Sequence, residues 1–367
     1  MEPRQEGQTR LGGDESMNAS TKQADALDLV RLERWLTTEV EGYAGPLSVT
    51  RFSGGQSNPT YRLDTPNAAY VLRRKPMGQL LKGAHAVDRE VRVLRAMTAA
   101  GVPVPRVRAL CTDDAVIGSW FYVMDLVDGR IFWDGGLPGL SPAERHAHQI
   151  AMAQTIAAIH AVSPEASGLG DFGRHGGYVK RQVDRWSRQY VEDEAAGRHP
   201  DLDYLVDWLP SNLPAESGVA VVHGDYRVDN VIFDPRQPVV AAALDWELST
   251  LGDPVADFAY SLMAYRVPAT ISWGLRGRDI EALGLPSERE YVAAYCRSAG
   301  RDDLPDLERH LAYNLFRLAT IIHGIKGRVI RGTAASGDAD AMVARLDLLA
   351  ATAREVADAS ERAPRRV

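Results

Sequence analysis

Apolar residues recur along this chain with two different periods, and the change of period divides it. From Ala26 to Val40, Leu29, Leu32, Trp35 and Leu36 fall at helical spacing with charges between them, which predicts an amphipathic helix. Leu47 to Phe52 then alternates with a period of two, as a strand does. Ser53 to Asn58 makes a glycine-containing turn, Thr60 to Asp64 reads as the return strand, and Ala69 to Arg73 as a third. Helical spacing returns over His85 to Ala100, with Val91, Leu94 and Met97 on one apolar face. Gly101 to Pro105 ends that helix, and strands follow at Val107 to Cys111 and Trp120 to Met124. Beyond Asp125 helical patterns dominate: Pro142 to His160 with Ser141 as N-cap, Tyr178 to Glu194, Leu202 to Leu209, Pro254 to Tyr265, Ser287 to Ala299, Asp306 to Arg331 and Asp338 to Ala359. They are interrupted by three short buried strands, Val219 to Val222, Val231 to Phe233 and Val239 to Leu244.

This order implies an α+β chain with a polar tail over 1–25, a small β-rich lobe over 26–125, a larger helical lobe over 126–359 and a second tail over 360–367. The 367 residues are enough for both lobes to bury their own cores. A net charge of −7 disfavours a nucleic-acid surface, and the sequence has no run approaching the ~20 apolar residues a membrane helix needs. The two cysteines, Cys111 and Cys296, lie far apart without metal-ligand spacing and point to a reducing, cytoplasmic setting. Oligomeric state is left open.

Chemistry concentrates between Val221 and Asp257. His223-Gly224-Asp225 is followed by Asn230, then by a strand that ends at Asp245. The flanking strands would aim Asp225 and Asn230 from one loop toward Asp245. Phosphoryl transfer needs such a set: one carboxylate where a substrate hydroxyl arrives, and an amide oxygen and a second carboxylate to hold the metal that neutralises nucleotide phosphates. Upstream, the glycine turn between the first two strands could lay backbone N–H groups over phosphates. A cation among Arg73, Arg74 and Lys75 could hold the α- and β-phosphates, fixed by Glu90 on the helix that follows. Alternation separates Arg73 from Arg74 but not from Lys75. Backbone groups of Met124 to Val127, where one lobe hands over to the other, could bond an adenine edge. His223 reads as a loop-packing histidine bonded to backbone. His146 and His148, at i and i+2, point to different helix faces and make no metal site.

With these pieces placed, the chain resembles the aminoglycoside phosphotransferase/choline kinase-like family over about Leu29 to Ala359. These are small-molecule kinases related in fold to the protein kinases. It looks most like the branch found fused to acyl-CoA dehydrogenases, on Phe52-Ser53-Gly54-Gly55-Gln56-Ser57-Asn58, Tyr70-Val71-Leu72-Arg73, Gly129-Arg130-Ile131-Phe132-Trp133, Arg181-Gln182-Val183, Arg185-Trp186, Gln189-Tyr190 and Leu244-Asp245-Trp246-Glu247. The resemblance implies a two-lobed protein-kinase-like fold that uses ATP and Mg²⁺ on a small hydroxyl substrate. It makes Asp225 the catalytic base or hydroxyl-positioning group and Asn230 and Asp245 the Mg²⁺ ligands. Arg73 becomes the third-strand cation with Glu90 as its partner. Ser53, Gly54, Gly55, Gln56, Ser57 and Asn58 become the phosphate-covering loop, and Met124, Asp125, Leu126 and Val127 the adenine linker. Asp257 would tie down the catalytic loop. The chain departs from the protein-kinase pattern in using Arg rather than Lys on the third strand, and Trp-Glu rather than Phe-Gly after the second acid.

For the acceptor, the helix from Tyr178 offers Arg181, Arg185 and Trp186, basic and aromatic rather than acidic, and Glu247 joins this candidate substrate set. That chemistry suits an anionic or amphiphilic hydroxy compound, and the resemblance suggests a hydroxyacyl-CoA or hydroxy acid. The competing readings are an aminoglycoside O-phosphotransferase, a nucleotide-binding module with little catalysis, and a metal-dependent phosphoesterase, which would need more closely spaced His/Asp ligands.

Overall fold

The computed structural model describes residues 27–52, 58–76, 86–333 and 339–362. Helix α1 (Leu29–Glu39) starts where the Asp28 side chain accepts from the Arg31 N–H, and it turns Leu32 and Leu36 inward. The strands β1 (Ser48–Arg51), β2 (Thr60–Asp64) and β3 (Ala69–Arg74) follow. Then come α2 (Val87–Ala99), β4 (Val107–Cys111), a one-turn α3 (Asp114–Ile117) and β5 (Phe121–Asp125). The five strands form one antiparallel sheet in the order β1-β2-β3-β5-β4.

Alternation along β3 assigns each residue a side of this sheet. Tyr70 and Leu72 join Leu32, Leu36, Leu63, Phe121 and Val123 in the core under α1. Val71 faces the other way, into the core that contains Val91, Leu94 and Met97 of α2 and continues into the helical lobe. Arg73 shares the Val71 face, beside Tyr122 of β5. Arg74 is buried on the other face, where its Nε donates to Ser119 Oγ at 3.0 Å. Lys75 lies over the Trp120 ring at 4.1 Å. The pleat and the neighbours together single out Arg73 among the three cations.

The helical lobe comprises α4 (Pro142–His160), α5 (Tyr178–Glu192), α6 (Pro200–Trp208), α7 (Pro254–Leu262), α8 (Ile280–Leu283), α9 (Glu288–Ala299), α10 (Leu307–Ile330), α11 (Ala339–Val343) and α12 (Leu346–Arg362). Ser141 and Glu144 close a capping box at the start of α4, with Pro142 at the first turn. The long α10 packs against α5, α7 and α12. Some expected bounds differ. The helix expected over 338–359 is two helices, α11 and α12. The one expected to reach Glu194 stops at Glu192, and Glu194–Ala196 forms a 3₁₀ turn. The first turns of α8 and α3 were not anticipated, because one turn is too short to show a period.

Four short strands sit within this lobe: β6 (Ala220–Val222), β7 (Val231–Phe233), β8 (Val240–Ala243) and β9 (Thr250–Gly252). Their pairing is nested. β7 pairs with β8, and β6 pairs with β9 outside them. The loop from β6 to β7 and the loop from β8 to β9 therefore emerge side by side. Asp225 and Asn230 ride on the first, and Asp245 begins the second.

One buried group is expected to make the lobe acid-sensitive. His310, in the first turn of α10, is fully buried, and neither ring nitrogen has a hydrogen-bond partner among the described residues. Burial pushes its imidazole down to about 4, against the opposing pull of Asp253 and Asp306. A histidine lowered on folding leaves the native state fully stable above its unfolded value and weakens it as pH falls from 6.5 toward 4. We expect His310→Leu to remove up to about 3 kcal/mol of acid destabilisation across that window. Urea unfolding of both proteins at several pH values would measure it; parallel pH curves would refute it.

Candidate active site

The loop after β6 is anchored from beneath. Asp257, on α7, accepts from the His223 N–H at 2.7 Å, the Gly224 N–H at 2.8 Å and His160 Nε2 at 3.1 Å. Burial alone would raise this carboxyl, but the His160 bond and the His160 and His223 rings bring it below its usual range. Gly224 has φ +84°, and a Cβ there would lie 2.8 Å from Leu248 O, so both conformation and space require glycine. The His223 ring lies between the two loops. Its Nε2 is 2.8 Å from Leu244 O, its Nδ1 accepts from the Asp225 N–H, and it packs on Trp246. With both nitrogens engaged by backbone, His223 joins the loops.

Asp225 is approached from three directions, by two hydrogen-bond donors and one cation. Tyr260 O–H donates to Oδ1 at 2.6 Å, Asn230 Nδ2 donates to Oδ2 at 3.0 Å, and Arg227 Nε lies 3.5 Å from Oδ1. The carboxylate nevertheless remains 20% exposed, enough to meet a ligand. Asn230 also donates to Asp225 O at 2.8 Å. These bonds commit its amide nitrogen and leave the amide oxygen as the end to offer a cation. Behind the loop, the buried Arg317 donates to Gly224 O at 2.9 Å and lies under the Tyr260 ring.

Asp245 stands where β8 ends, at φ 62°, a left-handed conformation few non-glycine residues adopt. It is 34% exposed. Arg73 reaches across from β3: its Nη2 donates to Asp245 Oδ1 at 2.8 Å and to Glu247 Oε2 at 3.3 Å. Its Nε is 3.0 Å from Glu90 Oε2, an ion contact without the alignment of a hydrogen bond. Burial disfavours the Arg73 charge, but Glu90, Tyr122, Asp245 and Glu247 outweigh it and hold the guanidinium above its ordinary value. Glu90 is raised, chiefly by burial, although Arg73 and the Tyr122 hydroxyl pull it down. Asn58 Nδ2 and Tyr122 O–H complete its shell at 2.9 and 3.0 Å.

These walls enclose a cleft of about 490 Å³ between the lobes. Arg73, Asn230 and Asp245 line it, as do Met124, Asp125, Leu126 and Val127 of the linker. Ile131 and Trp133 form an exposed apolar rim. Gly129 lets this rim approach the β7–β8 hairpin, since a Cβ there would sit 2.3 Å from Phe233 O. Asp229 also lines the cleft, and its Oδ1 is buried without a hydrogen-bond partner among the described residues. Oxygen donors from Asn230 and Asp245, beside that orphaned carboxylate oxygen, fit Mg²⁺, which takes one or two carboxylates and completes its octahedron with phosphates and water.

Other expected members fall elsewhere. Ser53, Gly54, Gly55, Gln56 and Ser57 lie outside the described residues; Asn58 bonds Glu90. Glu90 supports Arg73 without lining the cleft. Tyr178, Arg181, Arg185 and Trp186, expected at the acceptor, do not line it either. Tyr178 is buried, with its ring against Gly252. Arg181 closes onto the carbonyls of Arg174 and Gly176. Arg185 covers the Trp186 ring, and Trp186 Nε1 donates to Gln182. Helical periodicity identified this face as amphipathic, but a basic face over an aromatic packs equally well on the lobe's own loops. Tyr260, Arg317, Ile131 and Trp133 were not anticipated as site residues. Arg227 and Asp229 stand within the motif, but the sequence reading gave them no role.

A sheet lobe and a helical lobe meeting at such a cleft, with paired acidic loops below it, is the build of a two-lobed, kinase-like small-molecule phosphotransferase. The chain belongs to the phosphotransferase enzyme family, whose model matches residues 48–295. Among curated proteins it is 44% identical over 297 residues to mouse acyl-CoA dehydrogenase family member 10, covering 80% of this chain and 28% of that protein. It is 40% identical over 319 residues to human acyl-CoA dehydrogenase family member 11, covering 85% of this chain and 40% of that one. The chain thus spans well under half the length of these relatives. A crystal structure from Ralstonia eutropha, provisionally named an aminoglycoside phosphotransferase, matches with TM-score 0.83 and 45% identity, covering 91% of this chain and 99% of that one. Spectinomycin phosphotransferase in complex with ADP and spectinomycin shares the fold, with TM-score 0.61 at 11% identity over 91% of this chain and 98% of that one. Among the described residues no helix is long and apolar enough to cross a membrane.

Proposed function

We propose that this protein transfers the γ-phosphoryl group of ATP to a hydroxyl of a small molecule. The observation that carries the reading is that Asn230 and Asp245 line one cleft together with the linker, while Asp225 is hydrogen-bonded to Asn230 beside it. Met124 to Val127 present backbone groups to the adenine edge, and Ile131 and Trp133 cover its faces. Arg73 binds phosphate oxygens. Asn230 and Asp245 hold Mg²⁺, which when bound neutralises phosphate charge. Arg73 is already paired with Glu90, Asp245 and Glu247, a fit for a metal–nucleotide complex rather than a free triphosphate. Asp225 orients the acceptor hydroxyl and takes its proton as the bond to phosphorus forms.

For the acceptor we propose a hydroxyacyl-CoA or related hydroxy acid. Support comes from the identity of 40% or more to proteins named as acyl-CoA dehydrogenase family members. An aminoglycoside is the second reading, supported by the provisional name of the 45% identical bacterial structure. The test is a thermal-shift screen with ATP and Mg²⁺, followed by transfer of labelled γ-phosphate to panels of hydroxyacyl-CoAs, hydroxy acids and aminoglycosides. We expect stabilisation by the nucleotide and a labelled hydroxyacyl product. No nucleotide binding, or phosphate released from esters without ATP, would refute the kinase reading; labelling of aminoglycosides alone would select the second acceptor.

A further inference from the structure

Helix α7 supports the catalytic loop twice. Asp257 and Tyr260 are three residues apart on it, so both side chains leave from one face. Asp257 holds the loop by its backbone, through the His223 and Gly224 N–H groups. Tyr260 reaches a side chain of the loop instead: its O–H donates to Asp225 Oδ1 at 2.6 Å. The ring is buried, and the Arg317 guanidinium lies against it at 5.1 Å while also donating to Gly224 O. Helix α10, which carries Arg317, is fixed to α7 by Asn314, whose Nδ2 donates to Ala256 O at 2.8 Å. The position of the Tyr260 hydroxyl is therefore set by the packed lobe.

A buried tyrosine hydroxyl needs a partner, and a backbone carbonyl suffices. Tyr226 and Tyr265 use the Met152 and Pro286 carbonyls. Tyr260 takes one oxygen of the carboxylate that the reaction proposed above uses. Burial and the Asp225 charge raise its hydroxyl, against the pull of Arg227 and Arg317, so it stays a donor. Its bond also distinguishes the two carboxylate oxygens. Oδ1 is turned inward to the buried Tyr260, with Arg227 Nε 3.5 Å away. Oδ2 accepts from Asn230, which lines the cleft. The oxygen on the cleft side is therefore Oδ2. A carboxylate free to turn about its Cβ–Cγ bond would lose this alignment, and misplacement on the order of 1 Å costs a reaction roughly 10²-fold.

We infer that Tyr260 is a positioning residue for phosphoryl transfer: by holding Asp225 Oδ1 it presents Oδ2 to the acceptor hydroxyl. The inference rests on the kinase reading. In the step, the acceptor oxygen bonds the γ-phosphorus and the bond from that phosphorus to the bridging oxygen of ADP breaks. The hydroxyl proton passes to Asp225 Oδ2. Tyr260 keeps its own proton and acts only through Asp225.

The test takes water as the acceptor, so it needs no identified substrate. Release of labelled phosphate from γ-labelled ATP with Mg²⁺ is followed for wild type, Tyr260→Phe, Asp225→Asn and the double variant. Tyr260→Phe removes the hydroxyl and leaves the ring against Arg317. We expect its kcat to fall roughly 10- to 100-fold, with KM for ATP within about twofold of wild type. Added to Asp225→Asn, the same substitution should change kcat by less than about twofold, since the carboxylate it positions is gone. para-Aminophenylalanine in place of Tyr260, which returns a donor at the same reach, should recover most of the loss. An unchanged kcat in Tyr260→Phe, or the same fall in both backgrounds, would make Tyr260 a packing residue and overturn the inference. Melting of each variant fixes a temperature at which all are folded, so a less stable variant still enters the cycle. A wild type that binds no ATP, or passes its phosphate neither to water nor to any hydroxyl of the panels above, would sink the kinase reading itself. That result is distinct from an active wild type matched by Tyr260→Phe.

Discussion

Asp225→Asn is expected to lower phosphoryl transfer by roughly 10²–10⁴-fold while nucleotide affinity stays close to wild type. The substituted amide keeps the side chain's shape, and its oxygen retains either the Tyr260 or the Asn230 hydrogen bond. It has no basic oxygen for the acceptor proton. Asp225 does not line the cleft wall that Met124 to Val127 and Arg73 share, so nucleotide binding should persist. Single-turnover kinetics beside calorimetric binding of ATP with Mg²⁺ would separate the two effects. Near-normal turnover would remove Asp225 from the chemistry, and equal loss of binding and turnover would make it a structural residue of the loop.

Asp257→Ala carries the largest expected effect on stability, a loss of about 3–5 kcal/mol. The carboxylate is almost fully buried and accepts from two backbone N–H groups and a histidine. Truncation strands all three partners away from water. Its carboxyl is lowered on folding, so its contribution is fully present above its unfolded value near 3.8 and is lost as pH falls through the lower folded value. Urea unfolding at neutral pH should show the loss, with turnover declining as the His223-Gly224-Asp225 backbone loosens. Unchanged stability would mean that the loop is held by its nested strands alone.

The parts of the site that were legible are those whose residues lie close in sequence or repeat with a period. Asp225 and Asn230 are five residues apart, and their contact follows from one short loop between two apolar strands. The side of β3 that Arg73 occupies followed from the pleat, although excluding Lys75 needed the Trp120 ring that holds it. Tyr260 and Arg317 reach the same loop from 35 and 93 residues away, and nothing local marks them among the other tyrosines and arginines of the helical lobe. Tyr178, Arg181, Arg185 and Trp186, expected at the acceptor, do not line the cleft between the lobes, and a periodic basic face does not say whether it turns to a cleft or to its own lobe. Strand β9 is three residues long, too short to alternate visibly, yet its pairing with β6 closes the hairpin around the site.

By itself the sequence determined the two-lobed order of elements, the face on which each strand and helix is apolar, and the pairing of an aspartate with an asparagine on one loop. These depend on backbone period and on neighbours a few residues away. Tertiary structure alone decided which helix supports the loop, which arginine meets which carboxylate, and which aromatic residues rim the cleft. Those choices are made by packing and charge pairing between segments far apart in the chain, where any of several similar side chains could have served and only the closed fold selects one.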